Sequence, residues 1–102
     1  MSHYLHIIDC TLNPVTTSAY SEIVASISDS CSFVQFFYFK TDASFGLCSL
    51  AIGAPGEEED HIACSQKVGT PINFYASSGE RLSVKAIGSD ITTGYIILCL
   101  LP

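Results

Sequence analysis

Arg81-Leu82-Ser83-Val84-Lys85-Ala86-Ile87 decides the fold class. A β-strand sends successive side chains to opposite faces, so this stretch places Leu82, Val84 and Ala86 on one face and both of its basic residues on the other. Ser77-Ser78-Gly79-Glu80 forms a tight connection ahead of it, and Gly88-Ser89-Asp90 a turn behind it. The segment that follows, Gly94 to Leu101, is apolar throughout. That predicts a strand central in a sheet or within a subunit contact.

Most of the other apolar segments are short, rich in β-branched and aromatic residues, and bounded by Gly, Pro, Asn, Asp or Ser, which is the strand signature. Tyr4 to Leu12 comes first. Asn13-Pro14 ends it, because proline lacks a donor and biases its predecessor away from the helical region. Thr16 to Ala25 follows, with Tyr20 as its large apolar residue, although Ile23, Val24 and Ile27 also suit a short helical turn. Ser32 to Lys40 contains Phe33, Val34, Phe36, Phe37, Tyr38 and Phe39 and breaks strict alternation. Cover on both of its faces is therefore expected, from a second sheet on one and a neighbouring subunit or loops on the other.

Thr41-Asp42-Ala43-Ser44 reads as a hairpin turn, so Gly46 to Ile52 is expected to pair antiparallel with the strand before it. Gly53-Ala54-Pro55-Gly56-Glu57-Glu58-Glu59-Asp60 is the clearest loop, since two glycines and a proline precede four like charges that repel one another. His61 to Ser65 reads as a short strand, Lys67-Val68-Gly69 as a turn, and Pro71 to Ala76 as another strand. About eight short strands at this spacing predict a single all-β domain over residues 1–102, an antiparallel β-sandwich or jelly-roll-like barrel.

Composition narrows the function. Hydrophobic residues make up 48% of the 102 and charged residues 14%, which excludes a disordered chain. So few charges leave much of the surface neutral or apolar, and extensive exposed apolar area marks protein contact. Ten acids against four bases give a net charge of −6 at pH 7, which argues against binding a phosphate backbone. No apolar run is long enough to span a bilayer. Cys10, Cys31, Cys48, Cys64 and Cys99 are widely spaced and lack the paired ligands of common zinc sites. No secretory signal opens the sequence, so reduced thiols are expected, with Cys48 and Cys99 as small buried hydrophobes inside apolar strands; disulfide pairing stays open.

Each constellation with chemically competent side chains has a plainer structural explanation. His3 and His6 fall on opposite faces of a strand and make no chelate pair. Glu57 to Asp60 with His61 lack the spacing and internal glycine of a calcium loop; a solvated, exposed acidic loop is expected. No serine sits in Gly-x-Ser-x-Gly, and Cys64 near His61 specifies no orienting third group. Gly53 and Gly56 precede acids rather than a helix, so they do not form a phosphate-binding turn. No catalytic, cofactor-binding or metal-binding residue is assigned, and no enzyme activity or cofactor is expected.

Thr16-Thr17-Ser18-Ala19-Tyr20-Ser21-Glu22, Leu50-Ala51-Ile52-Gly53-Ala54-Pro55-Gly56-Glu57, Gly79-Glu80-Arg81-Leu82-Ser83-Val84-Lys85-Ala86 and Thr92-Thr93-Gly94-Tyr95, with the aromatic strand between the first two, form a pattern. It resembles small virion proteins of tailed bacteriophages, the β-sandwich proteins that serve as capsid cement or decoration. The resemblance extends from about Leu12 to Leu101 and rests on short β-strand motifs. It implies a non-enzymatic virion structural protein, made in the host cytoplasm and carried on the capsid surface. There it would bind the major capsid protein between subunits, stabilise the mature head, and self-associate as a trimer or dimer. Phe36, Phe37, Tyr38 and Ile97 are then candidates for core or interface, and Glu57, Glu58, Glu59 and Asp60 for a loop pointing outward or onto a basic capsid patch. The alternative is a tail or fibre component, or a small β-sandwich receptor- or carbohydrate-binding module. Tyr4, Tyr20, Tyr75 and Tyr95 would supply its aromatics unless they are buried anchors of the sandwich.

Overall fold

The computed structural model of the protein describes residues 4–27, 33–39, 47–65 and 72–101. The described residues form eight strands: β1 (Tyr4–Asp9), β2 (Ser21–Val24), β3 (Phe33–Phe39), β4 (Leu47–Ile52), β5 (Glu59–Ser65), β6 (Ile72–Tyr75), β7 (Leu82–Ala86) and β8 (Tyr95–Leu101). They make two four-stranded antiparallel sheets, ordered β1-β8-β3-β6 and β2-β7-β4-β5. Sequential strands mostly alternate between the sheets, and only β4 and β5 are sequence neighbours paired in one sheet. The protein is an all-β sandwich of the jelly-roll kind.

The alternation of β7 is realised as read, with Leu82, Val84 and Ala86 all buried. On β8 the same period appears despite its apolar sequence. Ile96, Leu98 and Leu100 are buried, whereas Ile97, Cys99 and Leu101 are half-buried. Both inner rows join one buried cluster with Val24, Val34, Cys48 and Leu50. β8 lies between β1 and β3, as a strand with two apolar faces and no charge should.

Loops close the ends of the sandwich and contribute to the core. Val15 and Ile91, both buried, exchange backbone hydrogen bonds of 3.0 and 2.8 Å. Ile27 is also buried; its N–H donates to the Glu80 carbonyl at 2.9 Å, and its own carbonyl accepts from Gly79 at 2.8 Å. These bonds satisfy main-chain groups that burial would otherwise leave unpaired. They also replace the helical turn considered around Ile27.

Several expected boundaries shift for local reasons. β1 stops at Asp9 rather than Leu12, because the Asp9 carboxylate accepts from Thr11 N–H at 3.0 Å and its carbonyl accepts from Leu12 and Asn13; this is an Asx-type turn that curls the chain off the sheet. Of Thr16 to Ala25, only Ser21–Val24 is strand. Glu59 and Asp60 belong to β5 rather than to the loop. The expected β3–β4 hairpin does not form. β3 bonds to β8 and β6 while β4 bonds to β5 and β7, so the chain crosses from one sheet to the other between them. The turns assigned to Thr41–Ser44 and Lys67–Gly69 lie outside the described residues.

Leu98 is fully buried at the centre of β8. Truncation to alanine there is expected to cost about 2–5 kcal/mol, through lost transfer energy and a cavity that a two-sided sheet cannot collapse. Denaturant unfolding measures it; a loss under about 1 kcal/mol would place Leu98 outside the core.

Candidate protein-contact face

The two sheets have unlike outer faces. On sheet β2-β7-β4-β5, the register aligns Glu22, Ser83, Ala51 and Asp60 in one row across all four strands. Ser49, Ala51 and Ser83 are buried although they face away from the core. Tyr20 explains this. Its hydroxyl donates to Asp60 Oδ1 at 2.7 Å, so the chain reaches from the β2 side of the sheet toward β5. Lys85 holds its ammonium 4.7 Å from the centre of that ring, a cation–π contact. Small residues beneath and long residues above give this face a cover built from its own chain.

Arg81 extends the cover toward the acidic loop. Its Nε donates to Glu22 Oε1 at 2.8 Å, and its Nη1 to Glu58 Oε2 at 3.1 Å and to the Gly53 carbonyl at 3.2 Å. Gly53 sits at φ +141°, and a Cβ there would collide with the Glu57 backbone carbonyl; only glycine lets the loop fold this tightly. Glu57, Glu59 and Asp60 are exposed as expected, but the Glu58 side chain is only 11% exposed. Hydrogen bonding from its own backbone N–H, then from Arg81 and Gly56, outweighs desolvation and holds the Glu58 carboxyl below its ordinary value. The hydrogen bond to Asp60, followed by desolvation and the nearby negative charge, raises the Tyr20 phenol.

Beside this network, a cleft of about 400 Å³ is lined by Ile52, Glu57, Glu59, Asp60, His61 and Glu80, among others. Among the described residues, no group of three or more His, Cys, Asp or Glu side chains is placed to hold a metal ion.

The outer face of sheet β1-β8-β3-β6 has a different character. The register sets Leu5 beside Cys99, Ile7 beside Ile97 and Asp9 beside Tyr95. Further across, Gln35 lies between Cys99 and Asn73. Leu5 is 59% exposed, Ile7 54%, Tyr95 41% and Tyr75, at the β6 edge, 77%. Ile97, Cys99 and Leu101 are half-buried between them. Apart from Asp9 at one end, the described positions named on this face are uncharged.

Of the residues singled out from sequence, Ile97 lies in the middle of this face. The backbone of Phe36, Phe37 and Tyr38 runs along β3 opposite Leu98, Ile97 and Ile96; the side chains of these three lie outside the described residues. Sequence reasoning passed over Leu5 and Ile7, because nothing in Tyr4 to Leu12 marks the segment as an edge strand. Tyr75 and Tyr95 are exposed rather than buried anchors. Arg81, Glu22 and Glu58 are far apart in the chain, and no local signal joins them. Cys48 is buried as expected and pairs in register with Cys64, while Cys99 lies half-buried on the outer face.

Two measurements test the covered face. Ser83 Oγ is buried with no hydrogen-bond partner among the described residues, so Ser83→Ala should be neutral or stabilising by about 1 kcal/mol in denaturant unfolding. The second concerns pH. A lowered carboxyl contributes stability that is present above the ordinary carboxylate value and lost as pH falls through the depressed folded value. The wild-type melting midpoint should therefore fall as pH drops from the ordinary carboxylate value toward the depressed folded value, whereas Arg81→Met should start lower at neutral pH and lose less over the same interval. Superimposable acid limbs would show that the Arg81 contacts do not stabilise the loop.

No protein-family model matches the chain, and no curated protein matches it. Among solved structures it is similar to the Eiger TNF from S. frugiperda, with a TM-score of 0.55, 11% identity, and coverage of 100% of this chain and 94% of that one. At that identity the likeness shows the jelly-roll β-sandwich alone.

Proposed function

We propose that this chain is a non-enzymatic virion structural protein, a capsid cement or decoration protein that seats the outer face of sheet β1-β8-β3-β6 where capsid subunits meet. The observation that carries this reading is the contrast between a face covered by Tyr20, Lys85 and Arg81 and a face that leaves Leu5, Ile7 and Tyr95 exposed. Apolar and aromatic area rimmed by neutral residues is the chemistry of a protein contact. Its partners in this reading are the major capsid protein and further copies of the chain, as a dimer or trimer on the capsid surface. The acids on the other sheet and its loop then face outward, or meet a basic patch on a neighbouring subunit.

The physical effect follows from linkage. A protein that binds the assembled lattice and not its separated subunits stabilises the lattice by mass action, and many copies make modest contacts effective. Particles stripped of the protein should assemble but break at lower temperature. Adding back wild type should restore the breakage temperature, and Tyr95→Glu should not, because it places a charge in the contact. Equal breakage temperatures with and without the protein would sink the reading.

A second reading has an observation of its own. Tyr75 and Tyr95 present exposed rings on the same face, as a receptor- or carbohydrate-binding module or a tail fibre component would. Saturable binding in a glycan screen, abolished by Tyr75→Ala, would favour it over cement.

A further inference from the structure

The sandwich has four edge strands, β1 and β6 on one sheet and β2 and β5 on the other. An edge presents unpaired main-chain donors and acceptors and invites pairing with another strand unless it is short, bulged or charged. β2 has four residues, is bulged between Glu22 and Val24, and carries Glu22. β5 is paired across an irregularity at Leu50/Ala51 and carries Glu59 and Asp60. β6 has four residues. β1 has the least of these protections, its one carboxylate lying at the last residue of the strand. It runs six residues in unbroken register with β8 and carries no carboxylate before Asp9.

The direction of its free main-chain groups follows from the ladder. Cys10 N–H donates to the Gly94 carbonyl at 2.9 Å, continuing the β1–β8 register. Antiparallel pairs alternate between bonded and non-bonded, so the N–H and C=O of Ile8 and His6 also turn toward β8, and those of Leu5 and Ile7 turn away. The Asp9 carbonyl fits this phase, since it accepts from the following turn and not from β8. The two residues with outward main-chain groups are thus the two with exposed apolar side chains. Along this edge, a groove of about 510 Å³ is lined by Ile7, Ile8, Leu12, Pro14, Ser21 and, on its β2 side, Glu22, among others. It has room for the inward-directed side chains of an added strand.

We propose that β1 is a strand-addition edge whose occupant is β1 of a second copy, joined antiparallel across a twofold axis into a continuous eight-stranded sheet. Charge directs a second copy to this edge. Two chains of −6 each repel wherever acids oppose, and β1 is the long edge on which they meet without carboxylates in the overlap. The register is self-complementary. Centring the axis on His6 pairs Leu5 of each copy with Ile7 of the other, matching outward main-chain groups and exposed side chains, and leaves the Asp9 carboxylates at opposite ends. This contact uses the edge of the sheet and is independent of whether its face meets a capsid.

The test uses the purified full chain. In sedimentation at high micromolar concentration, wild type and the face variant Tyr95→Glu should both be dimers. Ile7→Pro, which removes an outward N–H and no β8 bond, and Leu5→Lys should both be monomers. Backbone amide exchange at Leu5 and Ile7 should slow as concentration rises, a readout that needs no variant. A monomeric wild type, dimers that persist in folded Leu5→Lys, or amides at Leu5 and Ile7 that exchange at one rate across all concentrations would each overturn the proposal.

Discussion

The inner row of β8, Ile96, Leu98 and Leu100, is the constraint from which the other arrangements follow. These side chains share one buried cluster with Leu50, Leu82 and Val84 from the opposite sheet. Both β1 and β3 take their register from β8. A slip of one residue would turn the whole row toward solvent, so burial fixes the register strongly. Once Ile96, Leu98 and Leu100 point inward, Ile97, Cys99 and Leu101 must point outward, and the apolar character of the outer face is decided with them.

That geometry explains why the two outer faces differ. β7 alternates apolar with polar, so its outward positions are Ser83 and Lys85, which suit cover by Tyr20 and a cation–π contact. β8 has no polar residue to present, and β1 adds Leu5 and Ile7 beside it. An intramolecular cover requires a long side chain from a nearby loop. Tyr20 supplies one on the first sheet, and among the described residues no equivalent lies over the second.

Charge is distributed along the same division. Glu22, Glu58, Glu59 and Asp60 all belong to the β2-β7-β4-β5 side, where Arg81 binds Glu22 and Glu58 together and ties the loop to the sheet through the Gly53 carbonyl. The described positions named on the other sheet's outer face are neutral except for Asp9. Among the described residues, the molecule therefore has an acidic, self-covered side and a largely neutral, apolar side, and the second can bury area against a partner while desolvating fewer carboxylates.

The sequence by itself determined the class of fold, the alternation of β7 and the central place of β8. Each is a local property, because a period of two, a turn residue or an uncharged apolar run is written in neighbouring positions. It also determined the exposure of Glu57, Glu59 and Asp60, since adjacent like charges seek water. Only the tertiary structure decided that β3 and β4 lie in opposite sheets, because a turn signal is the same for a hairpin and for a crossing between sheets. Only it decided that Glu58 is drawn under Arg81, that Val15, Ile27 and Ile91 close the core, and that β1 is an edge with Leu5 and Ile7 open to solvent. These depend on which strands become neighbours, which is set by the packing of distant residues and leaves no trace in the local pattern of any one of them.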